Sequence, residues 1–204
     1  MAQPSEIVTL PEPSVTGLTS FEQLLAQRRS IRDYQTITLE LAEIGQLLWA
    51  AQGITHLQGL RTAPSAGALY PLELYVVTGL IEGLAQGVYH YDPGHHQLLK
   101  TSDGDLSDAL TRAALSQAWI KHASAVIVFT ADYERTTRKY GKRGKRYVHI
   151  EVGHAAQNLF LQSEALGLAT VVVGAFNDDE VARVLRLPTD LKPLLLMPVG
   201  QKQN

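Results

Sequence analysis

No cysteine occurs among the 204 residues, which excludes disulfides, thiolate metal sites and a cysteine nucleophile, and fits a reducing cytoplasm. A strong net charge is missing too. The 18 Lys and Arg against 20 Asp and Glu leave −2 at neutral pH, so nothing global draws the chain to nucleic acid or to an anionic membrane, and any electrostatic role must be local. No basic stretch followed by an apolar core opens the sequence, and no apolar run approaches the roughly 18 residues of a membrane span. The reading is therefore cytoplasmic, with neither nucleic acid nor membrane as partner. The G-x-S-x-G elbow, the P-loop and G-x-G-x-x-G are also absent. That removes serine-hydrolase chemistry and tight dinucleotide binding through a Rossmann crossover. The seven histidines form no evident ligand set. His149 and His154 are five apart and so do not share a helix face, and His90, His95 and His96 gather at a hairpin turn, where solvated histidines are common, with no carboxylate-rich partner set apparent.

What remains, 45% hydrophobic and 19% charged, is an ordinary globular chain, long enough for a real core. Pro4, Pro11 and Pro13 favour an extended arm over residues 1–18, ahead of one domain over 19–204. Thr19 or Ser20 caps a helix through "FEQLLAQRR". Thr38 caps another through "LELAEIGQLLWAAQ", which Gly53 closes as a left-handed stop. Leu72 to Thr78 reads as a strand, "GVYHYDPGHHQLLK" as a hairpin turning at Asp92-Pro93-Gly94, and "GDLSDALTRAAL" as a helix. "ASAVIVFTA" has the continuous β-branched run of a strand covered on both faces. A long helix from Arg146 to Gly167, apolar nearly all round, then reads as buried. "LATVVVG", "DDEVARVLRL" and "LKPLLLMPVG" complete the order as strand, helix and strand. This alternation gives a single mixed α+β domain.

Four segments carry candidate chemistry. In "RRSIRDY", Arg28, Arg29 and Arg32 with the Ser30 hydroxyl offer the forked donors that a phosphate dianion needs. A basic helix end complementing the macrodipole accounts for them equally. In "RTAPSAGALYPLELYVV", the small run Pro64, Ser65, Ala66, Gly67 and Ala68 lets backbone approach a planar ligand, or is a plain loop feeding a strand. In "VVVGAFNDDE", Gly174 and Ala175 leave backbone unshielded between a strand and a helix start, a frequent ligand position in sheet proteins. In "ERTTRKYGKRGKRY", six Lys or Arg fall between 138 and 146. It reads as a solvated charged loop, or as the place where Lys139 and Tyr140 move protons.

Taken in order, and followed by "LLLMPVGQK", these segments resemble the nitroreductase family of FMN-dependent oxidoreductases. The likeness runs from Phe21 to Lys202 and is greatest to the SagB-type dehydrogenase branch, which includes azoline oxidases. The resemblance implies a nitroreductase-like fold, a central mostly antiparallel sheet flanked by helices, in an intertwined homodimer with FMN at two interface sites. Arg28, Arg29, Ser30 and Arg32 then match the phosphate and ribityl contacts. Pro64, Ser65 and Ala66 match the segment lining the flavin from the partner subunit, with Gly67, Ala68 and Leu69 close by. Val173, Gly174 and Ala175 match the backbone facing the flavin N5 region. Ala68 stands where ordinary nitroreductases have asparagine and Tyr70 where they have glutamine, as in the SagB-type variant. A later basic pair that helps hold phosphate in many relatives has no counterpart after "GQKQN", and Lys202 stands nearest to it. Lys139-Tyr140 matches a Lys-Tyr pair implicated in catalysis in the azoline-oxidase branch, which implies hydride transfer at N5 with one of the two moving the proton. The substrate is then an azoline in a peptide, or a nitro or quinone compound reduced with NAD(P)H. A flavin-binding module without turnover, and a structural domain whose basic run binds an acidic partner, stay open.

Overall fold

Both faces of the central strands are apolar for a reason that the computed structural model, which describes residues 6–35 and 37–203, makes plain. In β3 (Leu72–Thr78), Leu72, Leu74 and Val76 point to one side, while Tyr75 and Val77 point to the other. In β6 (Ala125–Asp132), Ala125, Ile127, Phe129 and Ala131 alternate in the same way with Val126 and Val128. Helices cover each side, so neither set of alternate side chains meets water. The first side packs on α2 (Leu41–Gln52) through Ile44, Leu47, Leu48 and Ala51, and on α6 (Gly144–Ala165) through Val148, Val152, Ala155 and Leu159. The second packs on α3 (Ser107–Ala113), the short α4 (Trp119–His122) and α7 (Asp178–Leu185) through Leu110, Ile120, Val181 and Leu185.

The remaining elements are β1 (Ile7–Thr9), α1 (Phe21–Gln27), β2 (Tyr34–Gln35), β4 (Gly87–Asp92), β5 (Gln97–Asp103), α5 (Tyr133–Tyr140), β7 (Leu168–Thr170) and β8 (Leu191–Lys202). The eight strands form one sheet in the order β1, β5, β4, β3, β6, β8, β2, with β7 beside β8. Every strand pairing among the described residues is antiparallel. The fold is thus a central antiparallel sheet between two helical layers. No helix among the described residues is long and apolar enough to cross a membrane.

Several boundaries differ from the sequence reading. Within the extended arm, Ile7–Thr9 adds an edge strand to β5 in register Ile7 with Leu99; residues 1–5 lie outside the described residues. Helix α1 is capped by Ser20 in a reciprocal box with Gln23 but ends at Gln27, before the arginines. Thr38 does not cap α2; Glu40 does, because Leu39 is drawn into a bridge with Ile81. Gly53 is not left-handed: its φ is −63°, and a Cβ there would run into the Trp49 indole. The helix read through Leu115 stops at Ala113, and Leu115 and Ser116 turn the chain with φ of 56° and 59°.

The largest departure is "ERTTRKYGKRG", which is no loop. It forms α5, started by Asp132, whose carboxylate accepts from the Glu134 amide at 2.9 Å, and braced by a Glu134–Arg138 pair one turn apart at 2.9 Å. A single 3₁₀ turn, Gly141–Arg143, then leads into α6 at Gly144. Any side chain at Gly144 would stand 2.9 Å from the Thr137 backbone, so the two helices can cross only on glycine. Helix α6 is not covered all round, since Ile150, Gly153 and His154 face outward.

Candidate active site

The small-residue loop after α2 is held in a costly conformation. Gly67, Ala68 and Tyr70 have φ of 65°, 53° and 45°, a left-handed path that side chains avoid unless neighbours enforce it. The neighbours are specific. Ser65 Oγ accepts from the Tyr70 amide at 2.9 Å. Tyr70 Oη accepts from the Arg61 amide at 3.2 Å, the Arg61 guanidinium lies 4.8 Å above the Tyr70 ring, and Arg135 of α5 donates to the Tyr70 carbonyl at 3.1 Å. Arg135 is itself paired with Glu73 at 2.5 Å, and Glu73 also meets His90 at 2.7 Å. Burial works against the Glu73 charge, but the His90 hydrogen bond and the Arg135 guanidinium hold its carboxyl below the usual range.

Onto this loop α5 delivers Lys139 and Tyr140. A Cβ built on Gly67 would stand 2.7 Å from Tyr140 Oη and 3.0 Å from Lys139 Nζ. The glycine is thus required twice, for its φ and for the room it leaves these two polar tips. Lys139 Nζ lies 5.5 Å from the centre of the Tyr140 ring, which in turn meets Tyr147 of α6 edge-on at 5.1 Å. A cation and a phenol therefore sit together over unshielded backbone, an arrangement able to give or take a proton.

Behind the loop is a residue that the sequence reading passed over. Glu151 of α6 is 2% exposed, and Ser65 Oγ lies 2.5 Å from its Oε2. Its Oε1 has no hydrogen-bond partner among the described residues. Burial pushes this carboxyl up to about 7, against smaller opposing effects of Ser65 and Arg61. The signal was present in the sequence, because position 151 falls three after Val148 and four before Ala155, on the face α6 turns to the core. Glu151, Pro64, Ser65, Ala66, Tyr147, Ile150 and His154 surround a cavity of about 240 Å³.

The other sequence candidates each meet different partners, around the backbone bond from the Ile31 amide to the Thr170 carbonyl at 3.0 Å. Arg29 turns back to donate to the Ala26 and Arg28 carbonyls at 2.9 and 2.8 Å, finishing its own helix. Arg28 stacks on Phe160 of α6 at 4.9 Å and Arg32 on Trp119 of α4 at 5.5 Å, while Ser30 is exposed. Val173 exchanges two backbone hydrogen bonds with Leu196, at 2.8 and 3.0 Å, leaving Gly174 and Ala175 exposed. Gln117 donates to the Ala175 carbonyl at 2.7 Å. Leu69 is half-buried beside Tyr70. Lys202, at the end of β8, is occupied by Glu164 at 2.9 Å.

The family model described as the nitroreductase family matches residues 25–201. The chain belongs to the nitroreductase family. It is 49% identical over 181 residues, 89% of this chain and 90% of the relative, to a protein named as a nitroreductase in Methanocaldococcus jannaschii. A crystal structure of a protein named as a nitroreductase from Ralstonia eutropha superposes with a TM-score of 0.85 at 29% identity, covering 100% of this chain and 95% of that one. More distantly, the chain is 29% identical over 148 residues to the microcin B17-processing protein of Escherichia coli, covering 69% of this chain and 54% of that protein. This nitroreductase-family chain is thereby placed among oxidoreductases, with a fold shared by its solved relatives.

Proposed function

We propose that this nitroreductase-family chain is an FMN-dependent oxidoreductase of the SagB-type dehydrogenase kind, working as a cytoplasmic homodimer. The observation that carries the reading is the placement of Lys139 and Tyr140 directly over Gly67 of the small-residue loop. The residues present fit FMN. Arg28, Arg29 and Arg32 contact aromatic rings or backbone carbonyls and no carboxylate among the described residues, so their charge is available to a phosphate. Pro64, Ser65 and Ala66 front the cavity with side chains small enough for a flat ring to reach the backbone. At about 240 Å³ that cavity is smaller than the roughly 300–1,000 Å³ of complete ligand sites, which suits a site finished by a second copy of the chain.

When bound, FMN supplies the two-electron chemistry. This chain's residues then have distinct tasks. The arginines with Ser30, and Lys202 if Glu164 releases it, hold the phosphate and ribityl end. The backbone of Val173, Gly174 and Ala175 and the loop from Pro64 to Leu69 hold the ring edges. Lys139 Nζ or Tyr140 Oη exchanges the proton that substrate oxidation or reduction requires. The likeness to a peptide-processing protein supports an azoline-bearing peptide as substrate. A second reading, reduction of a nitro or quinone compound with NAD(P)H, is supported by the 49% identical relative.

The visible spectrum of the purified protein, followed by chromatography of any released chromophore, is the first test. FMN at about one per chain supports the reading. A colourless protein that also refuses added FMN overturns it. With flavin present, Lys139→Ala and Tyr140→Phe should each lower turnover about 10²–10⁴-fold while flavin stays bound. Unchanged turnover in both removes their catalytic role, and no turnover on azoline peptides, nitro compounds or quinones leaves a flavin-binding module.

A further inference from the structure

Glu151 is a buried titratable group to which the flavin reading gives no task. As a carboxylate it would be a charge 2% exposed with one neutral hydrogen bond and one orphaned oxygen, an arrangement that burial penalises heavily. The cation whose charge acts on it, Arg61, does not rescue it. Arg61 gives its Nη1 to Gln52 Oε1 at 2.7 Å and its face to Tyr70, and its influence on Glu151 is exerted at a distance. Glu73 and Arg135 stand behind Arg61 and bear on it in turn. Tyr147 and His154 share the cavity wall with Glu151, and Lys139 and Tyr140 lie over Gly67.

What Glu151 touches is the keystone of the loop. The Ser65 hydroxyl that bonds Glu151 also accepts the Tyr70 amide, and Tyr70 is a bulky residue held at φ 45°. We propose that Glu151 is a positioning residue: as a neutral carboxylic acid it fixes Ser65, and through Ser65 the loop that holds Gly67, Ala68 and Tyr70 at positive φ, in the shape that receives the molecule bound in the adjoining cavity. The Ser65 hydroxyl favours the carboxylate, but the cost of burying that charge is larger, so ionisation loosens the latch by drawing water or Arg61 toward the charge at the expense of the Ser65 and Tyr70 contacts. The inference concerns the loop itself and rests on the flavin reading only for the identity of the molecule received.

Hydrogen exchange at the Tyr70 amide tests it, corrected for the intrinsic rate and followed between about pH 5.5 and about pH 8.5. Protection in the unmutated protein should fall about tenfold or more across this range. Glu151→Gln, which keeps a hydrogen bond to Ser65 but cannot ionise, should flatten the profile. Ser65→Ala should leave Tyr70 poorly protected at every pH, and His154→Gln should leave the fall intact. A flat profile in the unmutated protein overturns the proposal. So does a fall that persists in Glu151→Gln or Ser65→Ala, or one abolished by His154→Gln. Titration with FMN on the same samples separates the two readings. Affinity that weakens with pH in parallel with exchange, and that Glu151→Gln makes constant, supports the positioning role; affinity independent of pH overturns it. Failure to bind FMN at all sinks the flavin reading and leaves the exchange result to decide the latch.

Discussion

Between Arg28 and Arg32 each side chain answers to a different neighbour, and most of the segment is in solvent. Between Arg61 and Tyr70, by contrast, the loop is tied to α2, α5 and α6 at once, through Gln52, Arg135 and Glu151. The first segment offers charge that can rearrange around whatever it meets. The second has its shape set beforehand, with two non-glycine residues, Ala68 and Tyr70, at positive φ whose strain the network offsets. A site made of one adaptable part and one preorganised part uses the rigid part for orientation and the loose part for attraction.

The sharpest break of this contrast is at Glu151. Its folded carboxyl sits at about 7 against 4.5 when free, so the folded state holds a proton that the unfolded chain releases. The corresponding stability is fully present below about pH 4.5 and is lost as pH rises through about 7, a change of about 3 kcal/mol. Urea unfolding of the unmutated protein and Glu151→Gln at about pH 5 and about pH 8.5 should show the two curves separating, with Glu151→Gln gaining on the parent at the higher pH. Parallel curves mean that the carboxyl is no brace.

Next in size is Gly67→Val. The left-handed backbone costs a side chain about 1–2 kcal/mol, and the new atoms meet Tyr140 Oη and Lys139 Nζ. A loss of about 2 kcal/mol, or about 4–8 °C in Tm, is the expected result. Gly174→Ala is the matched control, since none of the described residues stands within 4 Å of a Cβ there and its φ is not positive; its cost should stay within about 0.5 kcal/mol. Equal losses at the two glycines would mean that the loop from Arg61 to Tyr70 is no more constrained than an ordinary turn.

Much of the fold was legible because alternation and helical period act over many residues at once. The runs through β3, β6 and α6 needed no tertiary information to be read as strands and a helix. The site was legible only in part, for a physical reason. Lys139 and Tyr140 were visible as chemistry, but their meeting with Gly67 depends on α5, and a segment with so little apolar surface reads as solvated loop. Its helical signal lay in the Asp132 cap and the spacing of Glu134 and Arg138. Glu151 was hidden differently, inside a helix whose apolar content dominated the reading, although a carboxylate in the register of Val148 and Ala155 was itself the clue. Ser65 was named for its size, whereas the structure uses its hydroxyl. The direction of the arginines was not legible at all, because long flexible side chains take their partners from the tertiary surroundings.

The arginines therefore supply the smallest stability effects and the clearest test of the adaptable half. Arg32 is exposed, and among the described residues its guanidinium stacks on the Trp119 ring at 5.5 Å, a contact worth about 0.5–1 kcal/mol at an exposed site. Arg32→Ala should accordingly shift unfolding by no more than this. Yet a guanidinium that binds phosphate contributes about 1.5–3 kcal/mol through charge-assisted hydrogen bonds, so the same substitution should weaken FMN binding about tenfold or more. The weakening should shrink as salt is added, since an exposed charge is screened while the braced loop is not. Fluorescence titration of FMN at low and high salt measures both quantities. If Arg32→Ala costs stability but leaves FMN affinity untouched, the arginine serves only its tryptophan, and the attraction must come from elsewhere.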